Sequence, residues 1–132
     1  MSKRLDAMKR IQRVREQLKR IEESKLGRLN REEADLKAKR QSIIHGLNDD
    51  PSLHGLFVDD QAKRLRRITE QSLDIRQLKE VQTRQVIEQT RHFRQAENLV
   101  ENLVKLEERA GEKALLDALT DRLAARRQPA VS

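Results

Sequence analysis

A chain of 132 residues has the length of one ordinary domain. With 39% charged, 36% hydrophobic and 2% aromatic side chains, and no Trp or Tyr, it lacks the bulky apolar residues that fill a globular centre. The absence of cysteine excludes disulfides and thiolate metal sites.

The formal net charge of +7 is one-sided: residues 1–45 carry 14 Lys/Arg against 7 Asp/Glu, and the rest of the chain is balanced. Such a segment attracts nucleic acid, anionic lipid or an acidic protein surface, unless it is simply a solvated helix face. His45, His54 and His92 are not at ligand spacing and read as surface histidines, so neither metal nor cofactor is expected. No apolar run approaches the roughly 20 residues of a membrane span, and the first residues lack the apolar core of a signal peptide. The expected compartment is the cytoplasm, with no direct membrane insertion. Disorder is the rival reading of such polarity, but the apolar residues are regularly spaced and long stretches lack Gly and Pro.

The first predicted element is a helix over about residues 3–46. Leu5, Met8, Ile11, Val14, Leu18, Ile21, Leu26, Leu29, Leu36 and Ile43 recur mostly at gaps of three, four or seven, as one stripe of a helix does. Ser2 is placed to cap it, and Gly27 is an isolated breaker too weak to end so long a segment.

The next stretch, SIIHGLNDDPSLHGLFV (residues 42–58), holds two of the four glycines, one of the two prolines and one of the two phenylalanines. Asn48, Asp49, Asp50 and Pro51 are turn chemistry. Gly46 is positioned to end the first helix, and Asp59 or Asp60 to cap the second. The tip is expected over about 47–58. Leu53, Leu56, Phe57 and Val58 either fold inward over the turn or form a docking patch there.

The second predicted helix covers about 60–127. Its heptad places Leu65, Ser72, Lys79, Val86, Phe93, Val100, Glu107 and Ala114 at a and Ile68, Ile75, Gln82, Gln89, Ala96, Leu103 and Ala110 at d. The register is unbroken, but several of these seam positions are polar. Leu73, Leu78, Val81, Ile87, Leu99, Val104 and Leu106 widen the apolar stripe.

The expected fold is therefore all-α: an antiparallel two-helix coiled-coil hairpin with a longer second helix and a short disordered tail. A parallel dimer with a hinge is the alternative. Folding about residue 53 sets the N-terminus against roughly 103–105, and the remainder overhangs. Its apolar residues, Leu106, Ala110, Ala114, Leu115, Ala118, Leu119 and Leu123, need a partner or a fold-back at Gly111.

No phosphate loop, nucleophile motif or metalloprotease motif is present, so catalysis is not expected. What remains is a protein-interaction coiled coil, a nucleic-acid binder using the basic first helix, or a membrane-surface helix. The basic segment is too diluted with acids for a bZIP-like reader, aromatics for single-strand stacking are missing, and the first helix has no Trp or Phe to bury in lipid.

A basic first helix, an acidic-Pro tip and a longer second helix, with the run QAENLVENLVKLEERAGEKALLDALTDRLAARR (residues 95–127), resemble the FliJ family of flagellar type III export and its injectisome counterparts, the SctO (YscO-like) family. The resemblance is one of pattern over most of the chain. It implies a non-catalytic stalk of a type III protein export apparatus, at its cytoplasmic base. The implied partners are a hexameric export ATPase, the cytoplasmic domain of the export gate and, in some members, escort chaperones, with no specific nucleic acid. Carried onto this sequence, Leu53, Leu56, Phe57 and Leu65 become candidates for the gate contact. Lys3, Arg4, Lys9, Arg10, Arg122, Arg126 and Arg127 become candidates for the ATPase-ring contact. A basic coiled-coil adaptor or nucleic-acid-binding protein is the alternative.

Overall fold

A computed structural model describes residues 2–49 and 55–127, except for the side chain of Leu56. The chain is an all-α helical hairpin of two elements, α1 (Lys3–Asp49) and the longer α2 (Gly55–Arg127). Contacts divide it into two compact units, Met1–Glu16 with His92–Ser132, and Gln17–Arg91.

Helix α1 starts where the sequence places its cap. Ser2 Oγ accepts from the Leu5 amide at 3.3 Å and the Ser2 carbonyl accepts from the Asp6 amide at 3.2 Å. One of the orphan N–H groups of the first turn is thereby bonded by a side chain, and Asp6 adds negative charge beside the positive helix end. The helix passes through Gly27, whose backbone is ordinary right-handed helix with no positive φ. It also passes through Gly46, where the sequence suggested an end, and runs on to Asp49. A single helical glycine costs about 1 kcal/mol relative to Ala, too little to stop a helix held along its length. For the same reason Asp59 and Asp60 are not caps: α2 has already begun at Gly55, and Asp60 makes an i,i+4 ion pair with Arg64 at 3.5 Å. The expected tip at 47–58 is thus shorter than read, and its turn residues Asp50 and Pro51, with Leu53, lie outside the described residues.

In the unit formed by residues 17–91, Leu36, Ile68 and Ile75 are buried together, with Ile43 packed against them. The helices run antiparallel here. Gln82 bonds Glu22, while the earlier α2 residue Lys79 pairs with the later α1 residue Glu33 at 3.1 Å. Along α2 in this unit the least exposed residues are Gln61, Leu65, Ile68, Ser72, Ile75, Lys79, Gln82, Val86, Gln89 and Thr90, which, Thr90 apart, follow the predicted heptad.

In the other unit, Leu5 of α1 is buried. On α2, Ala96 is buried and Phe93, Val100, Leu103 and Glu107 are half-buried, again at a and d, with His92, Glu97 and Val104 half-buried beside them. The Ser2 amide donates to Glu107 Oε1 at 2.9 Å, close to the expected level of 103–105. Beyond Glu107 the seam stops. Ala110, Ala114 and every other residue of 108–127 are exposed, and α2 continues through Gly111 without a fold-back.

The apolar stripe read along α1 needs correction. Leu5, Met8, Leu26, Leu29, Leu36 and Ile43 are protected, but Ile11, Val14, Leu18 and Ile21 are 38–55% exposed. Gln12, Arg15, Lys19 and Glu22 are half-buried instead. Helix geometry explains the exchange. At about 100° per residue, Met8 and Leu26 lie five whole turns apart on one face, and the four polar residues fall within about 40° of it. The four apolar ones fall about 60–140° away. Similarly, Leu73, Leu78, Val81, Ile87, Leu99 and Leu106 are exposed flanks of α2, with only Val104 of that group half-buried.

Candidate functional site

The polar part of the seam is built from long side chains on facing turns. Gln82, at d, sends Nε2 to the Glu22 backbone carbonyl at 3.0 Å and also to the Glu22 carboxylate. That carboxylate also accepts from Lys25 Nζ at 3.4 Å. The amide N–H of Gln82 is the main cause holding the Glu22 carboxyl below its ordinary range. Partial burial opposes it, and Lys25 adds to it by hydrogen bond and charge. One heptad further on, Gln89 has its Oε1 buried with no hydrogen-bond partner among the described residues. One trough beside this seam is lined by Glu33, Arg76, Lys79, Glu80, Thr83 and Arg84, and others add the edges of Leu36 with Ile75 or Ile43 with Ile68 to charged and polar side chains.

The residues expected at the tip are not equivalent. Leu53 is outside the described residues, and Leu56 lies in the first turn of α2. Phe57 is 45% exposed and Val58 is exposed beside it. Leu65 is half-buried on the seam, so its side chain is already committed to packing.

The seven basic candidates are all exposed but do not form one patch. Lys3 and Arg4 sit at the start of α1, level with Glu107 through the Ser2 bond. Lys9 and Arg10 are a turn and more along α1 in the opposite sense. Arg122 lies 15 residues past Glu107, about 22 Å farther along α2, and Arg126 and Arg127 close its last turn. Glu107, Glu108 and Glu112 lie between the two groups. No protein-family model matches the chain, and neither a curated protein nor a solved structure is significantly similar to it. No described helix is long and apolar enough to cross a membrane.

Sequence reading missed Glu22, Glu33 and Gln12 as seam residues because it followed hydrophobicity alone. Continuing the three-four spacing from Met8 through Gln12, Arg15, Lys19 and Glu22 to Leu26, and on through Leu29 and Glu33 to Leu36, would have found them.

Proposed function

We propose that the chain is a non-catalytic coiled-coil stalk of a type III export apparatus, flagellar or injectisome, linking an export ATPase ring to the export gate. The observation that carries this reading is the exposed, basic-ended helix beyond Glu107, with Arg122, Arg126 and Arg127 on a segment that the hairpin itself does not cover. Cations at a helix C-terminus suit its negative dipole and remain available to acidic loops of a partner. Exposed Phe57 is the candidate anchor for the gate. The mechanism is allosteric. An asymmetric helix seated in a symmetric ring binds some nucleotide states of its subunits better than others, and so biases their equilibrium without touching phosphate.

The test combines purified export ATPase and the gate's cytoplasmic domain with two variants. Arg126→Glu with Arg127→Glu should lower ATPase stimulation and spare gate binding. Phe57→Ala should do the reverse. Equal loss of both activities in both variants rejects the division of roles.

A further inference from the structure

The segment 108–127 has a sequence symmetry that the hairpin does not use. Its leucines, Leu115, Leu116, Leu119 and Leu123, are 45–63% exposed. At about 100° per residue, Glu112, Leu115, Leu119, Leu123 and Arg126 fall on one stripe within an arc of about 80°, with Leu116 on its edge. Their spacing is three, four, four and three, which reads the same in both directions from Leu119. The chemistry is symmetric except for sign: leucine four residues either side, an acid seven before and a base seven after. Neither Glu112 nor Arg126 makes an ion pair with another of the described residues.

We propose that this face pairs with the same face of a second copy, antiparallel about a two-fold axis at Leu119. In that arrangement Leu119 meets its own counterpart, Leu115 meets Leu123 of the other copy twice, and Glu112 meets Arg126 twice. The contact is isologous, so it closes at two copies. A parallel pair would set Glu112 against Glu112 and Arg126 against Arg126, so charge selects the antiparallel form. The covered surface is only about 30 Å of single helix, which places the dimer in the weak, transient class. Pairing covers the leucine stripe that water otherwise disfavours. The inference goes beyond the stalk reading and does not depend on it. It also implies that self-pairing and any partner that reads Arg126 compete.

The test uses the full chain alone. Sedimentation equilibrium from about 10 µM to about 1 mM should show a monomer–dimer equilibrium. Glu112→Arg or Arg126→Glu alone turns both attractive pairs repulsive and should weaken the dimer roughly tenfold. The two together restore opposite charges and should recover it. Because the chain has no native cysteine, Leu119→Cys gives a single thiol at the axis. It should oxidise to a linked dimer well ahead of Asp117→Cys, which sits at the same level on the opposite face. A monomer throughout the range, a double variant no tighter than the single ones, or equal cross-linking of the two cysteines overturns the proposal. Circular dichroism of each variant confirms that the helices remain.

Discussion

Gln82 and Gln89 occupy the same heptad position one repeat apart, and the structure predicts unequal responses to the same substitution. Gln89 Oε1 is buried without a partner, so Gln89→Leu removes an unsatisfied acceptor and supplies the apolar residue that a d position favours. An unpaired buried polar group costs about 1–3 kcal/mol. Since Gln89 is only half-buried, the lower part of that range applies, and the expected gain is about 1–2 kcal/mol. For a chain of this size that raises the thermal midpoint by about 3–8 °C. Gln82→Leu makes the same apolar gain but deprives both the Glu22 carbonyl and carboxylate of a donor, so it should stabilise less, or destabilise. Thermal unfolding followed at 222 nm, with both variants at one protein concentration, gives the two midpoints. If Gln82→Leu is at least as stabilising as Gln89→Leu, hydrogen-bond satisfaction does not govern this seam.

Glu22 predicts a specific pH dependence. Its carboxyl is held below the ordinary value near 4.5, chiefly by Gln82. Its contribution is therefore complete above the unfolded-state value and is lost as pH falls through the lower folded-state value. Glu22→Gln should flatten that acid limb in denaturation curves taken between pH 7 and pH 3. Gly27→Ala should raise hairpin stability by about 1 kcal/mol, because a Cβ there meets nothing within 4 Å and the backbone is already helical. Gly111→Ala has the same free space, but lies past the last seam contact. It should increase helical ellipticity at 222 nm with little change in the hairpin's unfolding midpoint.

The second helix was legible because Leu65, Ile68, Ile75, Val86, Phe93, Ala96, Val100 and Leu103 fix one phase that the intervening polar residues cannot shift. Its exposed flanks were not, since Leu73, Leu78 and Ile87 add hydrophobicity without belonging to the seam. In α1 the same ambiguity inverted the reading. Ile11, Val14, Leu18 and Ile21 form a plausible stripe by themselves, and only the phase imposed by Met8 and Leu26 rejects it. The helix ends were misplaced for another reason: Gly46, Asp59 and Asp60 are good terminal residues locally, but their preferences amount to about 1 kcal/mol each, too little to fix a boundary alone. The basic residues are each exposed, and the fold-back arithmetic that set the N-terminus against 103–105 already implied that Arg122 and Arg126 stand well beyond the level of Lys3, about 22–28 Å along α2 once Ser2 is placed at Glu107.

The polar seam also determines which surface is left over. Apolar residues at a and d tolerate a slip of one heptad, since leucine or isoleucine replaces alanine or valine. Polar pairs do not. A slip of seven residues would set Gln82 against Arg15 or Leu29 in place of Glu22, and Ser2 against Val100 or Ala114 in place of Glu107. With Gln82 against Leu29, Gln89 would take its place opposite Glu22, but Lys79 would then face Arg40 in place of Glu33 and the Ser2 amide would lose Glu107. With Gln82 against Arg15, all three carboxylate contacts are lost. The native register is thus selected by Glu22, Glu33 and Glu107, which contribute little core. That same register ends the seam at Glu107 and leaves Leu115, Leu119 and Leu123 uncovered. A chain that strengthened its seam with leucine at these positions would be more stable and less certain of where its free helix begins.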